Sequence, residues 1–271
     1  MQGVNTAVQR ASQRVGSADG TAIAVECSGS GPALVVVDPA LAYSGFDNIR
    51  GLAALLGGEF TVWRYDRRGR GASGDTPPYA VAREVEDVAA VIDASGGSAF
   101  VYGFSSGGLL ALHAAAAGVA IDKLALFEPP VRAKGEPPDT TFANEIAELV
   151  AAGALGTAVD YFLTSIGVPG EVIAEMAPVR PALEAVAHTL VYDCEISNAT
   201  TFELLESVRT PTLVVDSGGS SDYLTGGTAA IAEALPDGTR RSLPGEWHGV
   251  ADEDLAPVLT AFFHGGRRAG T

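Results

Sequence analysis

The chain has 271 residues, of which 47% are hydrophobic and 18% charged, and its formal net charge is −16 at pH 7. This balance is typical of a globular protein with a sizeable core and excludes a largely disordered chain. Nucleic acids and anionic membrane surfaces are polyanions, so the negative charge disfavours both as partners and favours a small-molecule substrate.

Nothing in the chain predicts export or membrane insertion. Residues 1–17 lack the uninterrupted apolar stretch of a signal peptide, and the longest apolar stretch, residues 109–121, is too short to span a membrane and contains His113. Cys27 and Cys194 lie far apart and fit neither a metal-ligand pair nor a disulfide framework. We expect a cytoplasmic protein, monomeric or homodimeric, without a metal.

The predicted elements begin with an antiparallel hairpin over residues 13–27, where an Ala-Asp-Gly turn separates two alternating stretches. From residue 33 onward, short β-branched runs alternate with helical patterns, which predicts a mostly parallel sheet covered by helices on both faces. The runs are apolar nearly throughout, as strands buried on both faces should be. The predicted strands are residues 33–38, 60–66, 99–104, 123–128 and 212–217, and the predicted helices are residues 81–94, 105–117 and 226–235.

The strand–helix alternation stops after the fourth of these apolar runs. The pattern of the residues that follow predicts several helices interrupted by Gly and Pro, such as residues 142–155 and 180–190. An insertion at the carboxyl end of a strand would cover the crevice in which open α/β sheets bind ligands. We therefore expect a core of residues 1–130 and 208–271, with a helical cap of residues 131–207 inserted between its two parts.

Residues 103–108, Gly-Phe-Ser-Ser-Gly-Gly, contain the candidate nucleophile. The pattern G-x-S-x-G falls on Gly103, Ser105 and Gly107, directly after a predicted strand and before a predicted helix. Such a sharp turn needs strained backbone angles and small neighbours, so Ser105 is the expected nucleophile. The N–H of Ser106, at the helix start, would face a developing oxyanion. The alternative is a Gly/Ser turn that only caps the helix.

With this elbow the chain resembles the α/β-hydrolase family. The resemblance also covers the N-terminal hairpin, the loop YDRRGRGASG at residues 65–74, which matches the pattern D-x-R-G-x-G-x-S, the strand PTLVV at residues 211–215 and a late histidine. It implies the α/β-hydrolase fold: a mostly parallel eight-stranded sheet flanked by helices, with the helical cap inserted after strand 6. The loop residues for which we expect a structural role are Asp66, Arg68, Gly69, Gly71 and Ser73.

A serine hydroxyl needs a base to take its proton, and the chain has four histidines. His113 lies in an apolar helix, His188 in the cap and His264 in the C-terminal tail. His248 follows the last strand in RRSLPGEWHGV, where the base of the family belongs. We therefore expect His248 to be the base, with Trp247 beside it as a wall of the pocket.

The acid that orients the histidine has three candidates. Most of the family carries it after the strand PTLVV, but here Asp216 comes too early, within the strand, and Asp222 comes late. Small residues near Ser220 occupy the expected position. Glu128, at the tip of the preceding strand and followed by proline, resembles the acid of some lipases and of the zearalenone lactonase group, whose elbow also has paired serines. That resemblance assigns the acid to Glu128; the alternative for this residue is an ion pair with Arg132.

The resemblance also implies an oxyanion hole formed by two backbone N–H groups, one from Ser106 and one from the loop after the first parallel strand. The family usually has His-Gly there, whereas this chain has Asp38-Pro39-Ala40, and Pro39 has no N–H to donate. The donor of the family maps onto Ala40. We expect Asp38, Leu41 and Trp247 to line the substrate pocket.

Together these residues and the resemblance imply a serine hydrolase that acts through an acyl-enzyme on a small hydrophobic carboxylic ester or lactone, without a cofactor. Ser105 is the nucleophile, His248 the base and Glu128 the acid. Two alternatives stay open at this point. One is a non-hydrolytic lyase or cyclase that uses the same three residues; the other is a degenerate receptor for a small molecule, which the unusual Asp38-Pro39 motivates.

Overall fold

A computed structural model describes residues 11–46 and 49–265. Eight strands in these residues form one sheet in the order β1-β2-β4-β3-β5-β6-β7-β8. β2 pairs antiparallel with β1 and with β4, and the remaining neighbours pair parallel. The strands are β1 (Ala11–Gly16), β2 (Ala22–Gly29), β3 (Ala33–Val37), β4 (Thr61–Tyr65), β5 (Ala99–Phe104), β6 (Ile121–Phe127), β7 (Thr212–Ser217) and β8 (Gly238–Leu243).

Helices cover both faces of the sheet. They are α1 (Arg50–Leu56), α2 (Val81–Ser95), α3 (Ser106–Ala116), α4 (Thr140–Ala151), α5 (Leu155–Ser165), α6 (Gly170–Glu175), α7 (Arg180–Glu184), α8 (Leu190–Ala199), α9 (Phe202–Ser207), α10 (Asp222–Ala234) and α11 (Asp252–His264). Helices α2, α3 and α10 contribute to the apolar cluster on one face, and α1 and α11 to the cluster on the other. The fold is therefore a three-layer α/β architecture.

The central strands are buried on both faces because their side chains alternate between two apolar clusters. In β3, Val35 and Val37 belong to the cluster with α2 and α3, whereas Leu34 and Val36 belong to the cluster with α1 and α11. A continuous apolar run is what such a strand requires. Each of these side chains contributes about 1.5–3 kcal/mol by leaving water.

The predicted sheet is confirmed, and its strands differ from the predicted bounds by at most two residues. The hairpin turn also forms as expected, with Ser17 N–H donating to Thr21 O over 2.8 Å. The pattern did not identify α1 and α11, and α10 begins at Asp222 rather than at residue 226. The edge strand β8 carries mostly exposed side chains, so it lacks the apolar run that marked the other parallel strands.

Helices α4–α9 form one continuous insertion between β6 and β7. Their apolar side chains make a third cluster that includes Ile146, Leu163, Leu183 and Leu190. Leu41, from the loop after β3, joins this cluster and so connects the insertion to the sheet. In the described ranges, no helix has the length and apolar character needed to cross a bilayer. The predictions made for residues 1–10, and for the tail beyond residue 265, lie outside these ranges.

The loop at residues 65–74 has the contacts of a structural element. The carboxylate of Asp66 accepts hydrogen bonds from Ser44 N–H (2.7 Å) and Ala72 N–H (2.8 Å), and the hydroxyl of Ser73 donates to Asp66 O. Arg68 pairs with Asp87 over 2.7 Å in the interior. These contacts agree with the structural role expected for this loop.

His113 provides a test of how this core responds to pH. Its side chain is on α3, with Nε2 3.0 Å from Thr200 Oγ1, and burial lowers the pKa of its imidazole. Below about pH 6.5 the unfolded chain therefore binds a proton that the folded chain does not, so the free energy of unfolding decreases as the pH is lowered. Between pH 7.5 and pH 5.5, the Tm of His113→Gln should fall less than the Tm of the wild type. A change of about 1 kcal/mol in the free energy of unfolding corresponds to about 2–4 °C in Tm for a chain of this size. An equal loss in both proteins would contradict this.

Candidate active site

Ser105 lies on the turn between β5 and α3 with a strained backbone. Its φ is 52° and its ψ is −124°, outside the regions that L-residues favour. Such a conformation costs about 1–3 kcal/mol and persists only where surrounding contacts impose it. Here Ser105 N–H donates to Phe127 O (2.9 Å), and Gly108 N–H donates back to Ser105 O (2.8 Å). The turn therefore holds Ser105 at the carboxyl edge of the sheet, where it lines a cavity.

The two glycines of the elbow are required by close backbone contacts. A Cβ on Gly103 would lie 2.7 Å from Gly108 Cα. A Cβ on Gly107 would lie 2.2 Å from Val37 O and 2.5 Å from Asp38 O. Only glycine allows the start of α3 to approach the end of β3 this closely. The elbow and the loop after β3 are thereby brought together.

Glu128 and His248 form a pair in the loops that follow β6 and β8. Glu128 Oε1 accepts a hydrogen bond from Ser217 N–H (2.7 Å), and Oε2 lies 2.6 Å from His248 Nδ1. The Glu128 side chain is fully buried, and His248 is 14% exposed. An ionised carboxylate can only accept, so a neutral His248 paired with it carries its proton on Nδ1, which leaves Nε2 as an acceptor. The pair thus has the tautomer that a general base needs.

The structure brings only one of the three candidate acids to His248. Asp216 lies inside β7 and pairs with Arg240 over 2.7 Å, and Asp222 is exposed at the first turn of α10. The alternative partner for Glu128 is also engaged elsewhere: Arg132 Nη1 donates to Ser197 O (2.9 Å). The geometry therefore matches the assignment of Glu128.

Two serines that sequence reasoning did not assign hold the histidine loop. The hydroxyl of Ser217 donates to Glu246 O (2.6 Å), and His248 N–H donates to Ser220 Oγ (2.9 Å). They lie in the stretch where most of the family carries its acid. The run Ser-Gly-Gly-Ser-Ser at residues 217–221 is the signal that could have identified them.

The other three histidines lie outside the cavity. His113 contacts Thr200 as described above, His188 Nε2 is 3.9 Å from an oxygen of Asp75, and His264 Nε2 is 3.5 Å from an oxygen of Glu59. His248 alone among the four lines the cavity together with Ser105. Ser105 Oγ and His248 are not hydrogen-bonded to each other in the part of the chain that the structure describes. Catalytic hydrogen bonds are often formed only once substrate is bound.

Backbone strain is concentrated at this site. The non-glycine residues with positive φ in the described ranges are Leu41 (64°), Ser105 (52°), Glu128 (42°) and His248 (52°). Three of these are the predicted nucleophile, acid and base, and the fourth follows the predicted oxyanion donor. Strained residues cluster at functional sites because the geometry needed there outweighs their cost. The backbone therefore points to the same residues as the side chains.

The two predicted oxyanion donors line the cavity together. Ser106 N–H belongs to the first residue of α3 and has no acceptor within the helix. Ala40 lies in the loop after β3, and Arg70 fixes that loop by donating to Pro39 O (2.6 Å) and Ala42 O (3.3 Å). Sequence analysis did not assign Arg70 to the site, because its contact depends on two loops meeting.

The cavity has a volume of about 770 Å³ and lies between the sheet edge and the helical insertion. Trp247 lines it as predicted, with its ring 5.3 Å from that of His248. Its large apolar or aromatic side chains are Leu109, Phe142, Phe162, Ile166, Tyr223, Leu224 and Trp247, and its Arg, Asp and Glu side chains are Arg132, Glu136, Asp139 and Asp193.

Two residues predicted to line this cavity lie elsewhere. Leu41, whose φ is 64°, is buried in the apolar cluster of the insertion and is not among the residues that line the cavity. Asp38 lines a separate cavity of about 290 Å³, with Oδ2 3.5 Å from Arg64 Nη2. Both are corrections to the predicted pocket. Within the described residues, no group of three or more His, Cys, Asp or Glu side chains could hold a metal ion.

The fold and this site define a class: α/β proteins with a serine on a nucleophile elbow and a histidine paired to a carboxylate. The model of the alpha/beta hydrolase family matches residues 27–261, and the chain belongs to that family.

Solved structures agree with this membership. An alpha/beta hydrolase from Sphaerobacter thermophilus is 46% identical and covers 93% of this chain and 100% of its own, with a TM-score of 0.85. A hydrolase from Pseudomonas aeruginosa is 23% identical and covers 94% of this chain and 98% of its own, with a TM-score of 0.72. The enol-lactonase from Burkholderia xenovorans is 20% identical and covers 93% of this chain and 98% of its own, with a TM-score of 0.67.

The last two similarities concern the fold alone. A search of curated proteins found no match. Family membership and the 46% identical structure support a hydrolase. The resemblance to the zearalenone lactonase group stays a prediction.

Proposed function

We propose that this protein is a serine hydrolase of a small hydrophobic carboxylic ester or lactone. The observation that supports it most is the 2.6 Å contact between Glu128 Oε2 and His248 Nδ1, in a cavity that Ser105 also lines. A serine, a histidine with a free Nε2 and a buried carboxylate are the three groups that acyl transfer requires.

The reaction follows from the roles of these groups. Ser105 Oγ attacks the substrate carbonyl while His248 Nε2 takes the hydroxyl proton, and Glu128 stabilises the resulting imidazolium. The N–H groups of Ser106 and Ala40 hold the negative oxygen of the tetrahedral intermediate. His248 then gives its proton to the alkoxide that leaves, and an acyl-enzyme remains. Water, deprotonated by His248, attacks this acyl-enzyme and releases the acid and free Ser105.

The cavity supports a hydrophobic substrate of limited size. A volume of about 770 Å³ lies within the range of about 300–1,000 Å³ that small-molecule sites have. Its aromatic and aliphatic walls can bury an apolar acyl group or ring. The helices between residues 131 and 207 supply several of these walls, and we propose that they act as a cap over the site. We further propose that the protein works in the cytoplasm, as a monomer or homodimer, without a cofactor.

A reactive phosphonate ester tests the nucleophile. Intact mass should show one stoichiometric adduct on the wild type, and peptide mapping should locate it on Ser105. Turnover of an accepted ester or lactone in H₂¹⁸O should then place one labelled oxygen in the acid product. Product without the label would indicate a lyase or cyclase. A folded wild type that neither reacts with the phosphonate nor turns over any ester would overturn the proposal and favour a small-molecule receptor.

A further inference from the structure

Asp193 on α8 is the centre of a buried charged group that the proposed reaction does not use. Its Oδ1 lies 2.8 Å from Arg67 Nη1 and its Oδ2 lies 2.7 Å from Arg70 Nη2. The two arginines are each 1% exposed and Asp193 is 4% exposed. We call these three residues the Arg–Asp–Arg cluster. Arg67 also holds Glu84 with two hydrogen bonds of 2.8 and 2.9 Å.

The Arg–Asp–Arg cluster contacts the elbow directly. The hydroxyl of Ser106 donates to Asp193 Oδ1 over 2.8 Å. Ser106 follows the nucleophile in the chain, and its N–H is one of the two proposed oxyanion donors. Asp193 therefore anchors the side chain of the residue whose backbone must face the oxyanion.

The same cluster also contacts the loop that carries the other donor. Arg70 Nη1 donates to Pro39 O and Ala42 O, and Arg67 Nη1 donates to Asp38 O over 3.4 Å. These carbonyls lie on both sides of Ala40. One carboxylate on the insertion thus connects, through Ser106 and the two arginines, the two segments that would form the oxyanion hole.

Burying these three charges costs desolvation free energy, which their attraction offsets only where the hydrogen bonds are well made. Burial by itself would raise the pKa of Asp193, but Arg70 and Arg67 lower it below its ordinary value, so the carboxylate stays charged. Apolar side chains of similar volume often stabilise a core as well as a buried ion pair does. What the cluster adds is directional hydrogen bonds to groups whose separation must be fixed.

We propose that Asp193 is a positioning residue that holds the oxyanion hole in its active geometry from the helical insertion, through the Ser106 hydroxyl and Arg70. This inference rests on the proposed function. Misplaced donors would stabilise the transition state less. Asp193 also lines the cavity, but asparagine has nearly the same size, so Asp193→Asn keeps the shape of the cavity. The effect of disturbing the Arg–Asp–Arg cluster is therefore expected in kcat and not in KM.

The test compares Ser106→Ala, Asp193→Asn and their double variant in the full chain, with kcat, KM, the rate of phosphonate labelling and Tm measured for each. Ser106→Ala is expected to lower kcat about tenfold and Asp193→Asn about 10²-fold, the second approaching the loss of one oxyanion donor. The phosphonate rate should fall in parallel, and KM should stay within about threefold. The double variant should lose less kcat than the product of the two single losses, because the Ser106 hydroxyl acts only through Asp193.

Asp160→Asn is the matched control, since Asp160 pairs with Arg180 on the surface of the insertion. It is expected to keep kcat within about twofold of the wild type, as surface ion pairs contribute little. If Asp193→Asn lowers Tm but leaves kcat and the labelling rate within twofold, or if the two single effects add in the double variant, the positioning role is overturned while the hydrolase stands. If Asp193→Asn does not fold, the kcat of Ser106→Ala relative to the wild type decides whether the positioning role stands. A wild type inert to esters and phosphonate overturns both proposals.

Discussion

Replacing Ser105 with alanine is expected to lower kcat for any accepted ester by at least about 10³-fold, because the reaction loses the atom that forms the acyl-enzyme. The folded state should change little. The hydroxyl is not part of the turn, which is held by backbone hydrogen bonds of Ser105 N–H and O. Tm is therefore expected to stay close to that of the wild type, and KM or ligand affinity should persist.

Ser207→Ala is the matched control for this prediction. Ser207 ends α9 on the exposed surface, and its hydroxyl donates only to Leu204 O of the same helix. This variant is expected to keep full kcat. Ester turnover by Ser105→Ala at the wild-type rate, in a protein with unchanged Tm, would remove Ser105 from the mechanism.

Replacing Glu128 with glutamine should lower kcat by about 10²–10⁴-fold while keeping the size of the side chain. Ser217 N–H donates to Oε1, so the amide oxygen of glutamine has to stay at that position. The amide nitrogen then faces His248 Nδ1, where it can only donate. His248 would have to accept at Nδ1 and carry its proton on Nε2, which is the wrong tautomer for a base.

Asp216→Asn and Asp222→Asn are the controls for Glu128→Gln. Asp216 is paired with Arg240, so its replacement is expected to lower Tm but leave kcat within about threefold. Asp222 is exposed, and its replacement should change neither quantity measurably. A large loss of kcat in Asp216→Asn, with Glu128→Gln nearly normal, would transfer the acid role to Asp216.

The elbow could be predicted because its signal is local. The pattern on Gly103, Ser105 and Gly107 needs only a strand before it and a helix after it, and both have strong apolar patterns. The close approach to β3 explains why residue 107 is a glycine. The turn could be predicted without knowledge of that contact, because the glycine belongs to the sequence pattern.

The acid could not be decided from the chain order alone. Parallel pairing sets Phe127 beside Val215, so Glu128 and Asp216 come to neighbouring positions at the ends of β6 and β7. Which of the two carboxylates contacts His248 depends on the directions of their side chains. It also depends on which carboxylate is already paired with another group. Ser217 N–H holds Glu128, and Arg240 holds Asp216. Only the resemblance favoured Glu128 beforehand.

The substrate pocket shows the same difference between local and distant information. Asp38 and Leu41 flank the predicted donor Ala40 in sequence, yet neither lines the cavity with Ser105. Their side-chain directions depend on the backbone angles of the loop. The positive φ of Leu41 could not be predicted, because the residue that adopts it is not a glycine.

The sequence by itself determined the class of fold and predicted a candidate nucleophile and base, because strand and helix periodicity, the elbow and the position of a histidine after the last strand are all recognisable within short windows. Only the tertiary structure decided the partner of His248 and the surroundings of the proposed oxyanion donors. The contact between Ser106 and Asp193 joins residues 87 positions apart. Such a contact is created when the insertion packs on the sheet, and neither residue carries a local pattern that specifies the other.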